Sequence, residues 1–528
     1  MVDKMLVDII GIILFLILFV AFVFLGFYGS RWRKGNLKSL SEWGIAGRRL
    51  GPYLSWFLIG ADVFTAYTFV AVPSLAYASG SIAFYAVPYV AIVFAIAMLT
   101  MPRLWQVSKN KGYITASDFV KDRFNSRFLS VVISLTAVVA ILPYIALQIV
   151  GMQSVLTVML YGTANASVVS EIALIISFII LAAFTFTSGL RGVTLGSVFK
   201  DILIFLTVIV IIIAVLVSYG GFTKAFANIA NIKGSAAALP YSTLPAAGVS
   251  AFFSLFLGSA LALYLYPHII NGSLAANNKK TLRKSLSVLP IYSIGLAFLA
   301  LFGIAIYAIP GALQIVKSTG NGLLTVPAII VTVLPGWLAG ICLLGVFIGG
   351  MVPAALMAIA AANLLSRNVV KEFKPKMSSV NETRLAKWLS AAIKFVALAF
   401  VFIAPLTYAI QLQLLGGIII LQLLPAIFLG LYMKKLDWKP LTLGWAAGLI
   451  SGIWMVLVAN SFGALATSDI KTGIGLLYIG LIALAINVVV SVLGSYIIEV
   501  IGARRKGNIK ENELIKEMPL KNSRSTLS

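Results

Sequence analysis

The chain has 528 residues, 61% of them hydrophobic and 11% charged, and its mean hydropathy is +1.04. That composition excludes an ordinary soluble domain and describes a polytopic membrane protein. A net charge of +24 would suggest nucleic acid in a soluble chain, but in a membrane protein its distribution between loops carries the information instead.

Apolar runs of about 20 residues, enough to cross a ~30 Å hydrocarbon core, recur along the whole length. We read thirteen predicted transmembrane helices, at 5–28, 51–78, 81–105, 128–160, 168–189, 195–219, 249–271, 283–308, 335–364, 384–407, 409–434, 441–462 and 472–502. The first run lacks a basic n-region and a small-residue cleavage site, so we expect a helix there rather than a cleaved signal. Of the 40 Lys and Arg residues, Lys4, Lys224, Lys233, Lys317 and Lys471 fall on one face, and Lys394 lies within a predicted helix. All the others, Arg191 and Lys200 included, fall on the opposite face. The positive-inside rule then places the N-terminus outside and the C-terminus inside.

The second run carries the strongest functional signal, because GADVFTAYTF sets Asp62 in an otherwise apolar stretch. Counted from Gly51 at 1.5 Å per residue, Asp62 lies roughly 16 Å deep, near the midplane. A carboxylate at that depth is a functional candidate by default. Gly60, Asp62, Thr65 and Thr68 together suit a helix break that would expose carbonyls to a cation and amides to an anion. The competing reading has both threonines bonding back to the preceding turn and Asp62 protonated and packed. A second candidate break lies five helices later, at Leu257, Gly258 and Ser259.

Elsewhere the signals are weaker. The segment YITASDFVKDRF suits a short amphipathic interfacial helix capped by Ser117, and the stretch 220–250 suits a short helix or gating loop. Lys394 is deep, yet a long lysine can snorkel to the cytoplasmic face. The sole histidine, His268, has no acidic neighbour in sequence and reads as structural, and the single Cys342 permits neither an intrachain disulfide nor a cysteine metal cluster. No Walker loop is present, so ATP hydrolysis and enzyme chemistry are not expected. Spacings such as Gly345 to Gly349 and Gly444 to Gly448 read as helix packing.

Three stretches together, GRRLGPYLSWFLIGAD, ITASDFVKDRF and RGVTLGSVFKD, resemble the sodium:solute symporter family. The resemblance implies a core of two inverted five-helix repeats, as in LeuT, with the second and seventh helices broken. It divides the chain into a first helix and basic loop (1–46), the transport core (47–436), two peripheral helices (437–502) and a flexible cytoplasmic tail (503–528). GADVFTAYTFVAVPSLAY, ALYLYPHIINGSLAA and MVPAALMAIAAANLLSRN look most like the monocarboxylate permease branch. The implied function is uptake of a small organic anion, such as lactate or pyruvate, with H⁺ or Na⁺ and no other cofactor. Alternatives are an amino acid such as alanine or proline as substrate, a sensor that does not transport, and a passive channel. The implied localisation is the cell membrane, and no obligate protein partner is readable.

Carried onto this chain, the family's sodium site takes backbone carbonyls from Ala61 and Phe64. It also takes two hydroxyls from positions that here hold Ala358 and Ile359, so two oxygens are missing from the pattern. Asp62 stands one residue N-terminal to the family's acidic position. A buried carboxylate that gains and loses a proton during alternating access is the other explanation for it. Asp201 matches an acidic position on the family's ion route, with a plain interfacial pair to Lys200 as the alternative. Substrate binding is expected from helix-break amides with Thr65, Thr68, Gly258, Ser259 or Tyr264.

Overall fold

The computed structural model describes residues 7–32, 35–163, 165–403, 409–463, 465–502 and 507. Helices follow one another in chain order as α1 Ile9–Tyr28, α2 Leu40–Ile45, α3 Pro52–Gly60, α4 Val72–Ser79, α5 Ala86–Lys111, α6 Ala116–Phe124, α7 Arg127–Met159, α8 Ala166–Ser188 and α9 Leu190–Ser218. Next come α10 Gly221–Lys233, α11 Ser235–Ser242, α12 Val249–Leu265, α13 Pro267–Leu274, α14 Lys279–Val288, α15 Tyr292–Ala305, α16 Pro310–Thr319, α17 Thr325–Val333 and α18 Gly336–Leu364. The last are α19 Lys371–Phe373, α20 Ser379–Ile403, α21 Ala409–Leu421, α22 Leu424–Ile427, α23 Trp438–Ala459 and α24 Ile479–Val500. An antiparallel hairpin of β1 Asp469–Thr472 and β2 Gly475–Tyr478 precedes α24.

Among the described residues, eleven helices are long and apolar enough to cross a membrane, or twelve if the bent pair Gln413–Leu421 and Leu424–Leu431 is one span. Thirteen were expected on sequence. The predicted span 51–78 is not one continuous helix, because α3 stops at Gly60 and a wide helical turn, Tyr67–Ala71, leads into α4. The predicted span 472–502 begins late. Its first residues form the hairpin, since Gly475 takes φ 114°, a value that favours glycine and turns the chain before Tyr478.

At the centre stands α18, which packs on α1, α7, α9 and α20 and is almost wholly buried. Small residues let its neighbours approach. A Cβ on Gly340 would come within 2.1 Å of the Gly11 carbonyl oxygen of α1, so this contact is open only to a residue without a side chain.

The amphipathic helix α6 forms as expected, but its cap is Thr115 rather than Ser117. The Thr115 hydroxyl accepts from the Asp118 N–H, and the Asp118 carboxylate accepts in return from the Thr115 N–H, a reciprocal capping box. Asp118 also meets Arg367 Nε at 2.7 Å, and Lys121 pairs with Glu372, which ties α6 to the far end of α18. The 220–250 stretch folds into α10 and α11, held down where Tyr241 Oη donates to the carbonyls of Tyr77 and Ala78 at 2.9 and 3.0 Å. The predicted tail, 503–528, lies outside the described residues except for Gly507.

Candidate functional site

The first break is built from GADVFT. Helical bonding ends as the amides of Val63 and Phe64 both turn back to the Gly60 carbonyl, at 2.8 and 3.3 Å. Side chains then take over the backbone. Gln148 of α7 accepts the Ala66 N–H through Oε1 at 3.0 Å, the Thr68 hydroxyl accepts the Thr65 N–H at 2.9 Å, and the Thr65 hydroxyl accepts the Tyr67 N–H at 3.1 Å. Thr65 and Thr68 therefore shape the turn. Thr68 donates back to the Thr65 carbonyl at 2.9 Å, as the packing alternative anticipated.

The carbonyls of Ala61 and Phe64 are left for another donor, and that donor is Lys200 of α9. Its Nζ donates to Ala61 O at 2.8 Å and to Phe64 O at 2.7 Å, and it lies 3.0 Å from Asp201 Oδ1 in an ion pair. Both members of the pair are fully buried, so the interfacial pair expected of Lys200 and its place among the loop cations are corrected. The physical reason is helix length: α9 starts at Leu190, not near 195, which carries Lys200 almost three turns into the core. Asp201 accepts from Tyr292 Oη through Oδ2 at 2.8 Å. Tyr292 packs with Trp56, Phe64 and Phe205 at ring-centroid distances of 4.8 to 5.4 Å, an aromatic cover over the charges. Asp62 is 1% exposed, and neither carboxylate oxygen has a hydrogen-bond partner among the described residues.

The seventh predicted helix is also broken, but at Tyr266 rather than at Gly258. The helix α12 runs unbroken through Leu257, Gly258 and Ser259, and Gly258 is where it packs on Tyr478, whose ring lies 2.3 Å from the position of an added Cβ. Pro267 causes the break. A residue before proline is pushed out of the helical region, and Tyr266 takes ψ 136° before α13 begins. Tyr264, expected at the substrate, instead faces Phe428 at 5.8 Å.

Helix α7 connects the two breaks. The Tyr144 ring lies 5.2 Å from the Tyr266 ring and 5.7 Å from the His268 ring, and one turn farther along the same helix Gln148 accepts the Ala66 N–H of the first break. His268 is completely buried, with both ring nitrogens and the neighbouring Tyr266 hydroxyl unpartnered among the described residues. The sequence signal that places it at the break is its position directly after Tyr-Pro. A small cavity of about 20 Å³, lined by Thr115, Ser117, Leu265, Pro267, Ile270 and Asn271 among others, lies between α6 and this second break.

The two breaks are also joined at their α6 ends. Leu50 N donates to Ala275 O at 3.1 Å and Asn277 N to Leu50 O at 2.9 Å. Arg48 adds bonds to the carbonyls of Leu274 and Ser108 at 3.2 and 3.3 Å and to that of Tyr113. Burial pushes the Arg48 guanidinium down to about 10, opposed by Asp118, so it stays charged at neutral pH. Lys394 does not snorkel. Its Nζ is buried and donates to Thr185 Oγ1 at 2.7 Å and Ser390 Oγ at 3.0 Å, away from both breaks.

A sodium ion, the group implied by the resemblance, does not fit the Ala61 and Phe64 carbonyls as they stand. Sodium needs several oxygens; here Ala358 and Ile359, both buried, have no side-chain oxygen to give, and an ammonium already holds the two carbonyls.

Comparison with known proteins bears on the family and the fold. The family model described as "Sodium:solute symporter family" matches residues 43–452. A "Monocarboxylate transport permease protein" of Rhizobium johnstonii is 39% identical over 485 residues, covering 91% of this chain and 95% of that protein. The "Uncharacterized symporter YodF" of Bacillus subtilis is 31% identical, covering 84% and 86%. Among solved structures, a Na⁺-coupled sialic acid symporter in a substrate-bound outward-open state shares the fold, with TM-score 0.76 and 16% identity over 93% of this chain and 98% of that one. The protein is a multi-pass plasma-membrane transporter whose substrate is a small solute. With the match spanning most of its length, the chain belongs to the sodium:solute symporter family.

Proposed function

We propose that the protein imports a small monocarboxylate, such as lactate or pyruvate, together with H⁺ or Na⁺ by alternating access. The observation that carries this reading is the pair of helix breaks, each with buried polar side-chain atoms that have no hydrogen-bond partner among the described residues: the Asp62 carboxylate on the first, and the His268 ring nitrogens and Tyr266 hydroxyl on the second. The 39% identical monocarboxylate permease supports the substrate class.

Bringing a carboxylate beside a buried Asp62 is costly unless a cation comes with it. That is a physical reason for symport over passive flow. Asp62 is the group that answers to the coupling cation, and Asp201, held by Lys200 and Tyr292, keeps the local charges in place. The substrate's carboxylate is received by the Tyr266 hydroxyl and a His268 ring nitrogen, the polar atoms of the second break that have no partner among the described residues. The bonds joining residue 50 to 275–277 make the two half-helices nearest α6 move as one body during the cycle.

Competition in proteoliposomes tests the substrate class. Lactate and pyruvate should each displace labelled pyruvate, and alanine and proline should not. No saturable uptake of labelled pyruvate, with labelled alanine or proline accumulating instead, would refute the monocarboxylate assignment and leave the symporter standing.

A further inference from the structure

We propose that the Lys200 ammonium is a built-in cation that takes the place of sodium at the first helix break, so that this transporter binds no Na⁺ and, of the two coupling cations left open above, uses H⁺. The inference deepens the symporter reading and rests on it only for its consequence in transport, since cation occupancy is a property of the folded chain.

Three observations carry it. Lys200 Nζ lies 2.8 and 2.7 Å from the two carbonyls that the break leaves free, the contacts a cation would make. Lys200 has no exposure and its counter-ion Asp201 is the next residue in the same helix, so the charge is held in a dry pocket rather than parked at a surface. The two positions that would complete a sodium shell hold alanine and isoleucine, both fully buried. Loss of the hydroxyls and presence of the ammonium are complementary: a tethered ammonium has three N–H donors and wants acceptors near it, whereas a sodium ion would want the extra oxygens.

The charged and titratable groups facing Lys200 are few. Asp201 lies on its own helix, Asp62 on the break, and Tyr292 of α15 reaches it through Asp201. On α18, Cys342 lies by Thr207, two turns farther along α9. The aromatic cover keeps water from supplying a replacement shell.

Binding of ²²Na⁺ to the purified full-length protein, with choline holding ionic strength constant, tests this without any transport substrate. Wild type should show no saturable ²²Na⁺ binding. The variant Lys200→Ala/Ala358→Ser/Ile359→Thr removes the ammonium and restores both hydroxyls, and it should bind at least about tenfold more ²²Na⁺ than wild type at the same concentration. Ala358→Ser/Ile359→Thr with Lys200 kept should bind none. Saturable binding by wild type overturns the proposal, as does a monodisperse triple variant that gains no binding. Should the triple variant not fold, Lys200→Gln/Ala358→Ser takes its place with the same criterion. A protein that binds no sodium and also ignores pyruvate and lactate would keep the cation assignment and overturn the substrate; sodium binding with intact lactate uptake would do the reverse.

Discussion

Replacing Lys200 by methionine should be among the most damaging single changes in the chain, and the structure indicates its size. The substitution strands the Asp201 carboxylate in the interior with the Tyr292 hydroxyl as its remaining close donor, and it leaves the Ala61 and Phe64 carbonyls unpaired. Breaking a buried ion pair from one side costs about 3–5 kcal/mol, and a buried acceptor left without its donor adds about 1–3 kcal/mol. Shared solvation makes these incompletely additive, so about 4–6 kcal/mol is the expected loss. Lys200→Met/Asp201→Asn removes the stranded charge as well and should recover about 2–3 kcal/mol of that loss. The assay is reversible unfolding in mixed micelles of wild type, both single variants and the double variant. A coupling energy below about 0.5 kcal/mol, the size of ordinary additivity error, would refute the claim that the two side chains form one buried unit.

Asp62→Asn should abolish concentrative uptake while the protein remains monodisperse in the membrane, and undiminished accumulation would remove Asp62 from the mechanism. Gly60→Ala would set a Cβ 2.3 Å from Tyr292 Cζ and Oη; forcing that ring aside should cost about 1–3 kcal/mol, read as a lowered unfolding midpoint, and no change would mean the aromatic cover is loosely packed. Outside the membrane, burial pushes the Asp469 carboxyl of the hairpin up to about 6. Its protonated form is therefore favoured by folding, so this contribution is complete below about pH 4 and is lost as pH rises through about 6. Asp469→Asn should flatten that part of the stability profile, and a profile unchanged by the substitution would contradict it.

Much of the architecture is legible in the sequence because apolar runs of membrane length have one economical fate. The first break was legible too, since glycine, aspartate and two threonines inside such a run disagree with a continuous helix. The second was misplaced because glycine at 258 drew attention, when it serves a close contact with Tyr478, whereas Pro267 makes the break through the conformational limits it places on Tyr266. Lys200 was hidden for a different reason. Its partners at 61 and 64 are backbone carbonyls of a distant segment, and no side-chain motif marks a carbonyl that has lost its helical donor. The surroundings of His268 were hidden as well, since acidic neighbours in sequence say nothing of Tyr144, which arrives from α7.

Labelled pyruvate accumulation in proteoliposomes free of sodium, driven only by an inside-alkaline pH gradient, tests the central claim most directly. With Lys200 filling the cation position and Asp62 free to answer to another cation, accumulation should proceed without Na⁺, collapse on adding a protonophore and be absent in Asp62→Asn. Accumulation that appears only when an inward Na⁺ gradient is imposed would contradict the account.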